Sequence, residues 1–326
     1  MGIRTIMHQT IKIILIILYL TIFNNRLFAD PWFTGPILAP AGHTVPRGYT
    51  NLEIYGLDVH TTGQYDQNGN VLHTPLFRTY ALNPLLTHGF TDWLDVQLAV
   101  PYAWNTTLGQ SAHHLSDVSA ALGIQLFEQK KSPSRVDVRL LLQETIPTGR
   151  YEHLNPALDG TDATGLGSYQ TQVGLNFQYL MQVFKTHYLR TRFILSRIFY
   201  SPVKVNGLNS FGGTLTTHGT VDPGSEYDAD LAFEYTLTQN WVAVMEGYIS
   251  RGNSSRFNGV LKLENVGNLT TTTINNGTFN ETALAPALEY NFNENIGIIG
   301  GVWFPVSGKN TSYYMTYVLA LNAVWG

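Results

Sequence analysis

The chain contains no cysteine, which excludes disulfides, thiolate metal sites and cysteine nucleophiles. It has little charge: Asp, Glu, Lys and Arg make up 13% of its 326 residues, against roughly 25% in soluble domains. It has no basic excess either. Nineteen basic residues stand against 23 acidic ones, so it lacks the basic surface that nucleic acid requires. It also lacks long apolar runs. Nothing in it approaches the ~20 residues that a spanning helix needs. Aromatics, by contrast, are plentiful, with 18 Tyr, 16 Phe and 6 Trp, and mean hydropathy is −0.04. Asn, Gln, Thr, Ser and Gly supply the polarity that charge does not. This balance suits a β-protein with one face in lipid and the other in water.

The longest apolar run, IILIILYLTIF, covers Ile13 to Phe23 and follows Arg4 and Lys12. Asn24, Asn25 and Arg26 come next, then Leu27-Phe28-Ala29 before Asp30. A positive start, a short apolar core and a small residue at the cut predict a cleaved secretory signal peptide over residues 1–29. Cleavage there would remove Arg4, Lys12 and Arg26, leaving 16 basic residues against 23 acidic ones. Residues 30–48 hold Pro31, Pro36, Pro40 and Pro46 with Gly35, Gly42 and Gly48. Proline has no donor for a ladder, so this segment reads as a tail or as a plug inside a lumen.

From residue 49 onward, alternation dominates. Successive strand side chains point to opposite faces. Leu94, Val96, Leu98, Val100, Tyr102 and Trp104 share one face, opposite Trp93, Asp95, Gln97 and Ala99. Ala229, Leu231, Phe233, Tyr235 and Leu237 likewise oppose Asp228, Asp230, Ala232, Glu234 and Thr236. Many such segments make a helical reading improbable. A soluble sandwich also alternates, but aromatics here cluster at the ends of the apolar faces, as at Tyr290 and Phe292, where a membrane barrel meets headgroups. Connections alternate short and long, with long ones near residues 61–70, 105–116, 147–167, 202–225, 252–280 and 307–310. The chain thus predicts an all-β, antiparallel up-and-down transmembrane β-barrel over 49–326. Its strands number about 12, with ten to fourteen left open. The last strand carries Tyr317, Leu319, Leu321 and Trp325 on one face and resembles the signal read by the outer-membrane barrel assembly machinery. Glu144 and Arg197 fall on the lipid face by strict alternation, near the outer edge of the ~25 Å apolar band, where charge costs little.

Three segments carry a family resemblance: GFTDWLDVQLAVPY (Gly89 to Tyr102), ETIPTG (Glu144 to Gly149) and GLGSYQTQVGL (Gly165 to Leu175). They resemble the MetA-type phenol-degradation family of outer-membrane proteins, whose members are labelled transporters. The resemblance implies an outer-membrane barrel and uptake of aromatic or hydrophobic compounds. It implies no catalytic residue.

Charge of both signs falls on the lumen face: Arg135, Asp137, Arg139, Arg190, Arg192, Asp230, Glu234, Glu246 and Glu289. Pairing the seventh and eighth strands places Glu234 near Arg190 and Arg192. Two readings stand side by side. One is a charged constriction that selects a permeant; the other is an ion-pair network filling the barrel, since an inward charge needs a partner. His113, His114, Ser116 and Asp117 contain the residue types of a hydrolase triad, but neighbours in an extended segment point alternately apart. The sequence therefore predicts no enzyme, cofactor or metal. It predicts an outer-membrane channel for small, hydrophobic or aromatic molecules, with outer-membrane lipids and the assembly machinery as partners. A structural or surface-interaction barrel with a plugged lumen is the first alternative, and an outer-membrane hydrolase the second.

Overall fold

The computed structural model describes residues 31–129, 135–184, 186–262 and 269–326. The targeting segment expected over residues 1–29 lies outside them. Strands β1 (Thr50–Tyr65) and β2 (Val71–Thr91) form the first hairpin. Strands β3 (Leu94–Ala99) and β4 (Tyr102–Thr107) both pair with β2. They are one barrel strand interrupted at Val100-Pro101, where proline has no N–H to donate. Strands β5 (Gln110–Leu115) and β6 (Val118–Phe127) run back along them as the next barrel strand. Then follow β7 (Asp137–Ile146), β8 (Gln170–Phe184) and β9 (His187–Tyr200). Short strands β10 (Val203–Asn206) and β11 (His218–Asp222) precede β12 (Ser225–Thr236) and β13 (Trp241–Gly252). The hairpin β14 (Ser255–Lys262) and β15 (Leu269–Asn276) leads to β16 (Phe279–Asn291), β17 (Ile296–Lys309) and β18 (Thr311–Trp325).

Among the described residues the ladder closes. Strand β1 pairs with β2 on one side and with β18 on the other, from Thr50 opposite Trp325 to Tyr65 opposite Thr311. With β3/β4 and β5/β6 each taken as one strand, the barrel has twelve antiparallel strands, as the alternation predicts. Closure satisfies every edge, which a membrane-spanning sheet requires.

The alternation sorts inside from outside. Along β12, Asp230, Ala232, Glu234 and Thr236 are buried inward, while Tyr227, Leu231 and Phe233 are about two-fifths or more exposed on the outside. Strand β13 points Val242 and Val244 inward and Met245 and Ile249 outward. The outward apolar residues continue around the barrel. A soluble monomer exposes apolar patches of only a few hundred Å², so this belt is a lipid-facing surface. Aromatic pairs edge it. Trp241 meets Tyr290 at 4.8 Å, and Tyr290 meets Phe292 at 5.0 Å, near the short-turn end. Tyr102 meets Trp104 at 4.6 Å near the long-loop end.

The long connections differ from expectation. Residues 105–116 are not a loop: β4 and β5 continue the ladder to a tight turn at Leu108-Gly109, both at positive φ. Much of 202–225 and 252–280 is also strand. Strands β10, β11, β14 and β15 form a separate four-stranded sheet, reached from β9, β12, β13 and β16. Val203, Val205 and Val221 form its core, against Tyr151, Phe211 and Phe257. Above the membrane both faces of a strand meet water, so the apolar alternation fades although the ladder goes on.

Candidate functional site in the lumen

Residues 31–49, ahead of β1, lie inside the barrel and run along its wall. In most of the contacts a backbone group of this segment meets a lumenal side chain. The N–H of Thr34 donates to Glu289 on β16 at 2.8 Å. The N–H groups of Leu38 and Ala39 donate to Glu246 on β13 at 3.0 and 2.9 Å, and that of Ile37 also donates to it. Arg192 on β9 donates to the Ala39 carbonyl at 2.8 Å. Asn176 on β8 reaches the Ala41 carbonyl, and Gln178 bonds His43. Gln125 on β6 accepts from Thr44 N–H at 2.7 Å, and Asp95 on β3 accepts from Val45 N–H at 2.9 Å. Gly48 N–H meets the Gly89 carbonyl on β2 at 2.8 Å, and the chain then enters β1. The partners follow the order of strands around the barrel. The segment is therefore a collar on the inner wall near the short-turn end. It starts at β16 and passes most of the circumference.

Its prolines explain the form. A proline-rich chain has few donors and cannot add to a ladder, so its remaining N–H groups must find side-chain acceptors. Wall carboxylates provide them, and a carboxylate accepting backbone N–H bonds is a strong, charge-assisted contact. Ile37 fits an inward apolar patch of Val242, Val244, Ile299, Val318 and Ala320. Phe33 covers the Arg190 guanidinium at 4.1 Å. The wall makes room. A Cβ at Gly89 would stand 2.2 Å from the Pro46 carbonyl oxygen. A Cβ at Gly123 would stand 2.1 Å from both Arg139 and Asp95.

The sequence-predicted charges divide into groups. Glu234, fully buried, lies opposite Arg190 in the β9–β12 register and binds it through both carboxylate oxygens. Arg192 stands 3.3 Å from the same carboxylate. Glu246 and Glu289 hold the collar as described, and Asp230 is buried on the same wall. Arg139 pairs instead with Asp95 at 2.6 Å, both buried. Asp137 accepts from Gln129 N–H at the short-turn end. Arg135 is not brought to the network: it precedes β7 and is exposed, because the ladder starts two residues later than the alternation suggests. Asp95, Gln125 and Gln178 bind the collar without having been singled out. Their inward parity was readable; their partners, far away in sequence, were not.

Between the collar and the opposite wall is a cavity of about 510 Å³. Phe33, Ile37 and His43 line one side, and Glu53, Tyr55 and Asn83 another, with Arg139, Arg190 and Arg192 contributing guanidiniums. Nearer the long loops, the lumen carries carboxylates bound by hydroxyls. Glu226 accepts from Tyr200 and Ser250, Asp228 from Tyr248 and Ser196, and Glu281 from Tyr314 and Thr311. The lumen thus changes along its axis from a hydroxyl-bonded acidic section to a guanidinium-lined one.

The His113–Asp117 segment assembles no triad. Asp117 uses its two oxygens to accept from Gly149 and Leu166 N–H groups, each at 2.9 Å. His113 bonds the Tyr102 hydroxyl on the exposed face of the hairpin. Tyr317, Leu319, Leu321 and Trp325 of β18 all point outward, between 40% and 63% exposed.

No family model and no curated relative matches the chain. Solved structures do. The chain is similar to the COG4313 outer membrane channel from Pseudomonas putida F1, with a TM-score of 0.66 and 12% identity over 89% of this chain and 100% of that one. It also aligns with the beta domain of the Bordetella autotransporter BrkA, with a TM-score of 0.46 and 9% identity over 86% of this chain and 100% of the other. The NanC porin gives a TM-score of 0.41 and 9% identity, over 83% and 98% respectively. The first of these likenesses shows that the fold is that of an outer-membrane β-barrel.

Proposed function

We propose that this protein is a passive outer-membrane channel for small molecules, narrowed by its own N-terminal collar. The observation that carries this reading is the cavity of about 510 Å³ left beside the collar. A segment that follows the wall reduces a twelve-stranded lumen without filling it, and space of this size suits a small organic molecule. The apolar collar residues Phe33 and Ile37, together with Tyr55, suit a permeant with an aromatic or hydrophobic part. The resemblance to phenol-degradation proteins supports the same class. Export by a signal peptide over residues 1–29, and recognition of β18 by the assembly machinery, belong to the same proposal. So does the absence of enzymatic activity.

The density of bonds between collar and wall favours a second reading, a barrel held shut. Conductance in a planar bilayer separates the two. A channel gives discrete single-channel steps and solute flux in liposomes, and deleting residues 31–46 enlarges the steps. A refolded barrel with neither conductance nor flux would reject the channel. Unchanged steps after the deletion would reject the collar as its narrow section.

A further inference from the structure

Two arginines on the outer face have no role in the lumen. Arg197 on β9 and Arg251 on β13 both stand opposite Tyr227 of β12 in the ladder. Neighbouring strands lie ~4.8 Å apart, so the two residues are about 10 Å apart across Tyr227, and their long side chains can converge. The Arg197 guanidinium stacks on Phe199 at 4.5 Å and on Tyr227 at 4.7 Å, and its Nε has no hydrogen-bond partner. Among the described residues, no carboxylate lies within ion-pair distance of Arg197 or Arg251. Glu144, another outward charge, is two strands from Arg197 and accepts from the Thr171 hydroxyl at 2.6 Å.

One outward step toward the membrane centre, the ladder row is Leu175, Leu195, Ala229 and Ile249. The small Ala229 between Leu195 and Ile249 leaves a notch directly beneath Tyr227. Here lies an open groove of about 470 Å³, bounded by these aliphatic side chains and topped by Arg197, Tyr227 and Arg251. The row sits toward the long-loop end of the apolar belt, below the rings of Phe199 and Tyr227 that flank Arg197. A cationic pair above an acyl-sized groove complements one amphiphile.

We propose that Arg197, Tyr227 and Arg251 bind the phosphate of a phosphorylated lipid in the leaflet facing the long loops, with an acyl chain seated in the Ala229 notch. Two guanidiniums around one phosphate give charge-assisted, bidentate contacts, strengthened where water is scarce. The site gives the barrel a fixed lipid neighbour and is independent of whether the lumen conducts.

The test is native mass spectrometry of the full barrel in non-ionic detergent. It is titrated with bis-phosphorylated lipid A and with the same lipid after its phosphates are removed. The wild type should retain the phosphorylated lipid. The Arg197→Gln/Arg251→Gln double variant should bind it about tenfold more weakly, equivalent to ~1.4 kcal/mol. The dephosphorylated lipid should bind wild type as weakly as that, and inorganic phosphate should not displace the bound lipid. Ala229→Leu, which fills the notch and keeps both charges, should also weaken binding. Heat-modifiable mobility on gels reports folding of each variant. If the double variant does not fold, the exposed Arg251→Gln alone should lower binding severalfold. Equal binding by the arginine variants, equal binding of the dephosphorylated lipid, or displacement by inorganic phosphate would overturn the assignment.

Discussion

Glu234 is buried without access to solvent and faces two guanidiniums. Removing one partner of a buried ion pair leaves the other charge uncompensated, at a cost of roughly 3–5 kcal/mol. Glu234→Ala should therefore lower stability by about that amount, read as a shift of the unfolding midpoint in guanidinium chloride. Glu234→Ala combined with Arg190→Met and Arg192→Met should recover much of the loss. Glu246 differs, since its partners are backbone N–H groups of Ile37, Leu38 and Ala39. Hydrogen bonds to a charged group contribute about 1.5–3 kcal/mol. Glu246→Ala should free the collar while the barrel stays folded. Single-channel conductance should rise, and protease should cut the chain near residue 38. That Glu234 would lie near Arg190 and Arg192 was legible in the sequence, because consecutive barrel strands pair and alternation puts all three residues on the inner face. That Glu246 would hold residues over 200 positions earlier was not, because no periodicity links a strand to an irregular segment.

At the scale of elements, each strand obeys two media. Inside the membrane its outward residues must be apolar. Outside, the same strand is free of that demand, which is why β4 beyond Trp104, and β5, β10, β11, β14 and β15, escaped detection as strands. Leu231 lies mid-strand on the outward face of β12, whereas Tyr227 lies near its long-loop end. Arg at the bilayer midplane costs ~2–4 kcal/mol, and ~0–1 near the interface. Leu231→Arg should therefore destabilise the barrel in vesicles much more than Tyr227→Arg, measured by reversible unfolding in urea. Similar losses for both would place the apolar belt wrongly. The β14–β15 hairpin lies outside the twelve-stranded ladder. Replacing residues 256–275 by a short Gly-Ser link should leave the heat-modifiable mobility of the folded barrel unchanged.

At the scale of the whole molecule, the barrel is a wall and the N-terminal segment is its lining. A twelve-stranded barrel is wider than the eight-stranded kind whose interior side chains alone fill the lumen. The collar and the ion pairs occupy part of that excess. The glycine at position 123 lies where Arg139 and Asp95 approach the wall. Gly123→Val should displace that pair and, with it, the Asp95 contact to Val45. The expected readout is noisier, larger conductance steps with the barrel still folded; unchanged steps would show that this part of the collar does not bound the path.

Scarce charge and few long apolar runs, combined with period-two alternation, determined a membrane barrel of about 12 strands, with ten to fourteen left open, because lipid imposes that pattern residue by residue. The same alternation assigned Arg139, Arg190, Arg192, Glu234, Glu246 and Glu289 to the interior. Only the tertiary structure decided the partners of Arg139, Glu246 and Glu289, the course of residues 31–48 along the wall, and the placing of Arg197 and Arg251 on either side of Tyr227. Those are contacts between segments distant in sequence, set by ladder register and by the donors that proline leaves over, and no local pattern encodes them.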